Sequence, residues 1–261
     1  MFRSKGLSLI ELMIAMALGL ILTLGVTRIF LTSNTTYTVV TAQSQTVENA
    51  RVVKHFLGRA LRHAGYWDDV TVPRHFPALD SSLDEGVVIA ATNNDGTGGS
   101  DTLTVRFNGS FDGALTNCLG AVPDEGEIAV DRYFIGDAGG STLVPALMCQ
   151  SVIMTTDSSV QPVFSAAQPL IIGIENLQIE LGLGTETRIT QYVDPASVTD
   201  WSEVKSVRYA ILATSNQDTS GQEDTNTYTL VGGETVTASG DKRLRQVQRD
   251  TVFLRNFRGK S

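Results

Sequence analysis

Residues Lys5 to Leu31 read KGLSLIELMIAMALGLILTLGVTRIFL, a basic flank joined to an apolar run close to bilayer length. About 20 consecutive apolar residues cross a bilayer as a helix, so this stretch constrains where everything after it can go. One carboxylate, Glu11, sits inside the run. A charge at the centre of a membrane helix costs about 2.5–3.5 kcal/mol on insertion scales, which makes such a carboxylate functional by default. Glu11 stands near the start of the run, so an interfacial, solvated carboxylate is the bland alternative.

Positive flanks stay on the cytoplasmic side of a membrane. Arg3 and Lys5 precede the run, which should therefore carry the remaining body outward. A secretory signal peptide has a similar outline but ends in a small-residue cleavage site after its apolar core. Ala15-Met16-Ala17 has suitable letters and lies in mid-run, while Val26 to Thr32 offers no such site. The segment reads as retained.

The chain has 261 residues, of which 42% are hydrophobic and 18% charged, with a formal net charge of -8. That is enough for a globular body beside one greasy segment. Neutralising phosphates needs clustered Lys and Arg, so the acidic balance argues against a broad nucleic-acid surface, and no specific nucleic-acid partner is expected. Cys118 and Cys149 are the two cysteines. They cannot complete a four-ligand zinc site alone, and no CxxC spacing occurs. In a body outside the cytoplasm they point to one disulfide, with buried free thiols as the alternative.

From Arg28 to Pro73 the chain contains no proline, so the helix can continue past the apolar run. Val53, Phe56, Leu57, Ala60, Leu61 and Ala64 recur at the spacing of one helix face. Gly65 then offers a left-handed C-terminal cap. A helix from about Leu7 to Ala64 would run on the order of 85 Å at 1.5 Å per residue. His55, His63 and His75 lack an HExxH arrangement and read as packing or surface histidines.

Beyond Pro73 the pattern changes to short strands and turns. Residues 86–90, 101–107, 127–135, 141–148, 205–213 and 249–257 read as strands, and 169–181 as a strand pair or one bent strand. Thr92 to Asp101 is a polar, glycine-rich loop. Asp95, Thr97 and Asp101 are hard oxygen ligands, but the closing glutamate of an EF-hand loop is missing, and a plain turn is preferred. Ser215 to Thr227 reads as exposed and mobile. No GxSxG elbow, phosphate loop or cysteine–histidine motif occurs, and the acid pairs Asp68-Asp69 and Asp84-Glu85 sit in turn-like segments. No catalytic residue, cofactor or metal is expected.

Gly6 followed by Leu7-Ser8-Leu9-Ile10-Glu11-Leu12 resembles the class III leader and N-methylation motif of type IV pilins and type II secretion pseudopilins. The shared pattern is a basic leader ending in Gly, a hydrophobic new N-terminus and Glu as the fifth mature residue. Leu7 stands where Phe is usual. The resemblance implies cleavage between Gly6 and Leu7 by a prepilin peptidase and methylation of the Leu7 amine. It also implies that Glu11 pairs with the N-terminal amine of a neighbouring subunit during assembly, a cation for a carboxylate in hydrocarbon.

The body patterns HAGYW, ALMCQ, GIENLQIELGLGTE, DWSEVKSVRYAIL and TVFLRNF are similar to those of PilW-type minor pilins. The implied fold is an α+β lollipop, a long N-terminal helix packed on an antiparallel β-sheet head. Its parts would be a leader over 1–6, an assembly helix over 7–31, an amphipathic continuation over 32–65 and a β-rich head over 66–261. The implied function is priming and assembly of a bacterial type IV pilus near its tip, supporting adhesion, twitching motility or DNA uptake. The implied partners are other minor pilins, the major pilin, the prepilin peptidase and an inner-membrane assembly platform. A J-type pseudopilin of a type II secretion system is the near alternative. A membrane-anchored periplasmic binding domain or enzyme is the rival from another class.

Overall fold

The computed structural model describes residues 8–68, 75–79, 83–139, 144–155, 163–185, 187–219 and 221–256. Among the described residues, one α-helix, α1 (Leu9–His63), precedes eleven strands and three short 3-10 turns. It ends where the sequence places its stop. Gly65 adopts φ +73°, and its N–H donates to Arg106 O at 2.9 Å. A side chain at Gly65 would be strained, and its Cβ would crowd Asn256 O and Val88 at 3.2 Å.

The strands are β1 (Ile89–Thr92), β2 (Thr102–Asn108), β3 (Glu127–Asp137), β4 (Pro145–Thr155), β5 (Gln168–Ile172) and β6 (Ile174–Thr185), followed by β7 (Arg188–Val193), β8 (Val204–Thr214), β9 (Thr227–Thr229), β10 (Thr235–Thr237) and β11 (Arg245–Phe253). Strands β1 to β5 form an antiparallel meander in chain order, and a second sheet has the order β11-β8-β6-β7. The two-stranded β9–β10 pair covers part of the second sheet's outer face, where Leu230 and Val231 pack on Ala210 and Leu212.

The stretch 169–181 divides at Gly173, whose φ of +82° turns the chain from one sheet into the other. Strand β1 starts later than its apolar letters suggest, at Ile89, and Val88 and Ala90 pack in a separate cluster with Phe76, Leu79, Leu83, Ile128 and Val130. That cluster covers the meander's far face. With both faces of β2 and β3 buried, period-two alternation weakens in β3.

The main core joins all the layers. Val53, Leu57, Leu61 and Ala64 of α1 pack with Leu103 and Val105 of β2, Ile135 of β3, Leu147 of β4, Ile179 of β6 and Ile211 of β8. Asn49 Nδ2 also donates to Ile172 O at 2.9 Å, pinning the helix to the β5–β6 turn. This is the expected long helix on an antiparallel head.

Candidate functional site: the bare helix and its seat in the head

The helix opens with a capping box. Ser8 Oγ accepts from Glu11 N at 3.3 Å, and Glu11 Oε2 accepts from Ser8 N at 3.0 Å and Ser8 Oγ at 3.1 Å. The Ser8-x-x-Glu11 spacing is the sequence signature of this cap, and it satisfies donors that the first helical turn otherwise leaves open. In the single chain the Glu11 carboxylate is thus held by its own N-cap. Gly6 and Leu7 lie outside the described residues.

Every residue from 8 to 38 is exposed. Leu9, Ile10, Met16, Leu22, Ile29 and Phe30 are each more than 60% exposed, which is far more apolar surface than a monomeric soluble protein leaves in water. By length and composition this part of α1 is able to cross a membrane. Its threonines fit that reading, since Thr23 Oγ1 donates to Gly19 O and Thr27 Oγ1 to Thr23 O, both at 2.8 Å. Each hydroxyl is thereby satisfied without water.

The second half of the same helix is different. A stripe of Ala42, Thr46, Ala50, Val53, Leu57 and Leu61 is buried at the three- and four-residue spacing of one face. Lys54 pairs with Asp250 at 3.3 Å on its flank. Arg59 Nη2 donates to Thr116 Oγ1 at 2.6 Å, tying the helix to the loop before β3.

That loop is stapled by a disulfide between Cys118 and Cys149, across 31 positions of chain. Beside it, Asp131 of β3 is 2% exposed. Asp131 Oδ2 accepts from Cys118 N at 2.9 Å and from Tyr133 OH at 3.4 Å, whereas its Oδ1 is buried without a hydrogen-bond partner. Burial pushes the Asp131 carboxyl up to about 6. A cavity of about 20 Å³, room for one water, lies between this carboxyl and α1, lined by Phe56, Arg59, His63, Phe107, Cys118 and Tyr133 among others. His63 stacks edge-on against Phe107 at 6.0 Å. Burial, then Arg59 and Arg62, lower its pKa.

The 92–101 loop uses its acids inward. Asp101 is fully buried, with Oδ1 accepting from Asn94 N at 2.8 Å and Oδ2 from Ile179 N at 2.7 Å. Both oxygens serve the protein backbone, so Asp101 staples the loop to β6 rather than facing a cation. Burial raises its carboxyl to about 6, with Asp95 and Glu234 adding to the rise. Asp68, read from sequence as lying in a turn-like segment, accepts from Tyr66 OH at 2.8 Å and from Phe111 N. Its neighbour Asp69 lies outside the described residues.

The 215–227 stretch is mostly exposed, as its letters suggest, yet it is anchored at three buried points, Ser215, Thr219 and Asp224. It is held by Arg245, whose guanidinium is 2% exposed and contacts Glu175 at 2.7 Å, Asp241 at 2.7 Å and Asp224 at 3.2 Å. Burial opposes the charge on Arg245, yet the bonds to Asp241 and Glu175 raise its pKa. Glu175 and Asp224 stand 70 and 21 residues away, separations no local pattern displays, while Asp241 lies four residues before Arg245.

Among the described residues, Cys118, Asp131 and Cys149 form the group of metal-type ligands that lies close together, and its sulfurs are bonded to each other. The geometry is a bare helix half continuous with a half packed into the head. Residues 132–256 match the family model described as Type IV Pilus-assembly protein W, and residues 1–27 match the Prokaryotic N-terminal methylation motif. Over residues 132–256 the chain is PilW-like, and over residues 1–27 it carries the N-terminal methylation motif. Among solved structures, the chain resembles the type IV-like pilin TTHA1219 from Thermus thermophilus. The two share 16% identity over 81% of this chain and 97% of that one, with a TM-score of 0.48. No curated protein matches significantly.

Proposed function

We propose that this chain is a minor pilin that takes part in priming and assembling a bacterial type IV pilus, near the fibre tip. Through the fibre it supports adhesion, twitching motility or DNA uptake. It works by recognition rather than catalysis. The observation that carries this reading is the unbroken α1, bare over residues 8–38 and buried in the head from Ala42 onward. Such a helix needs bilayer first and neighbouring helices afterwards.

In this reading the leader 1–6 stays cytoplasmic, 7–31 waits in the inner membrane, 32–65 emerges, and the 66–261 head folds in the periplasm. The prepilin peptidase cuts between Gly6 and Leu7 and methylates the new amine. The Glu11 carboxylate, held by Ser8 in the free subunit, exchanges that cap for the amine of a neighbouring pilin as the helices pack. Each exchange sets one axial register. Contacts with the major pilin and other minor pilins then run through the bare helix and lateral faces of the heads, on an inner-membrane assembly platform.

Intact-mass and N-terminal sequencing of the membrane-extracted protein tests the processing step. The expected product starts at methylated Leu7. An intact Met1 in a host with an active prepilin peptidase would sink the proposal. For assembly, Glu11→Ala is expected to insert stably and to be missing from sheared pili, and its normal incorporation would remove the role given to Glu11. Loss of protein secretion with intact pili on deletion would point to the pseudopilin alternative.

A further inference from the structure

The cavity under α1 holds an arrangement that fibre assembly does not use. Cys118 Sγ, Cys149 Sγ and an Asp131 carboxylate oxygen all lie within 4.8 Å of one another. The β3–β4 register produces this, since Asp131 faces Ser151 and Tyr133 faces Cys149, so the carboxyl sits one diagonal from the sulfur. The two sulfurs differ in access. Cys149 is fully buried on β4, whereas Cys118 is partly exposed and lines the cavity.

The groups that face Asp131 are Arg59 and His63 from α1, Tyr133 from β3 and Ser151 from β4. Arg59 is engaged with Thr116. A buried carboxyl with one oxygen on Cys118 N–H and the other unpartnered is costly for a merely structural position. A thiolate left in the same apolar place would be costly too. One group can relieve the other by passing a proton.

We propose that the Cys118–Cys149 disulfide is a thiol-exchange site and that Asp131 is its proton donor on opening and its proton acceptor on closure. The co-reactant is a dithiol of the extracytoplasmic space, or any small dithiol. Its thiolate attacks Cys118 Sγ, the Cys118–Cys149 bond breaks, and the electron pair leaves on Cys149 Sγ, which takes the Asp131 proton. The second thiol of the reagent then displaces Cys118, whose thiolate is protonated from solvent. The reagent ends as a disulfide, two electrons poorer, and the protein as two thiols. In closure the Asp131 carboxylate takes the proton from Cys149, and the electrons run the other way.

The test starts from the folded, oxidised full chain in detergent, opened with dithiothreitol and sampled by alkylation and mass spectrometry between pH 5 and pH 8. Rates are divided by the thiolate concentration of the reagent at each pH. The wild-type rate is expected to fall as pH rises through about 6, where Asp131 loses its proton. Asp131→Asn, which keeps the acceptor for Cys118 N–H, is expected to open on the order of a hundredfold slower below pH 6 and to show no inflection. His63→Gln should retain the inflection. A wild-type profile that is flat, or one whose inflection disappears with His63 instead, overturns the proposal whether or not the Asp131 variant folds.

Discussion

The two halves of α1 share one backbone geometry and little else. From residue 8 to residue 38 every side chain is exposed, whereas from Ala42 onward a buried stripe meets both sheets. In a bilayer the first half would have to be helical, because a chain without water must satisfy its amides internally. The second is helical because one face is bought out of water by the core. Helix formation therefore says nothing about which half builds the head. Burial separates the half that is part of the head's fold from the half that is bare.

This division makes different demands on substitutions, and the largest effect is expected at the head's charge clamp. Arg245→Ala leaves Glu175, Asp224 and Asp241 facing one another in a largely buried site, and should cost about 3–5 kcal/mol. Thermal unfolding in detergent would read it, with the 215–244 region becoming protease-sensitive. No change in stability would mean the clamp is not what orders that region.

Within the helix itself, Leu57→Ala should cost about 3 kcal/mol, since Leu57 is fully buried. Leu20→Ala, at a residue 64% exposed, should change head stability by less than about 0.5 kcal/mol. Equal effects in denaturant unfolding would erase the distinction between the halves.

A smaller effect follows from pH. Burial pushes Asp131 up to about 6, above the ordinary value of about 3.9, so the folded head holds this proton more tightly than the unfolded chain. The resulting stability is present in full below about pH 4 and is lost as pH rises through about 6. Asp131→Asn should therefore gain about 2 kcal/mol at pH 8 and little at pH 4, measured by unfolding at the two values. A gain that did not depend on pH would contradict the buried, titrating carboxyl.

The smallest change belongs to the bare half. Ser8→Ala removes the acceptor for Glu11 N and a donor to Glu11 Oε2, and should fray the first turn by about 1 kcal/mol. Hydrogen exchange at residues 9–12 would rise, with the unfolding of the head unmoved.

Much of this architecture was legible in the letters. The apolar run, the Gly65 stop, the alternation of β2 and the split within 169–181 are local signals, and local backbone preference plus one-sided burial produces them; the Ser8-x-x-Glu11 cap is as local but went unread. Strands β7, β9 and β10 escaped notice. The last two have three residues each, too few to show a period, and β7 has no fully buried residue, with Val193 packing only at the core's margin.

By itself the sequence determined that one helix would be greasy at its start and amphipathic at its end, with a β head after it. The tertiary structure alone decided that Asp131 sits beside the disulfide, that Asp101 turns inward onto β6, and that Arg245 joins Glu175 and Asp224 from distant segments to its neighbour Asp241. Periodicity records which face of an element is buried. It cannot record which remote element buries it, and a lone charged letter reads the same whether water or another chain segment surrounds it.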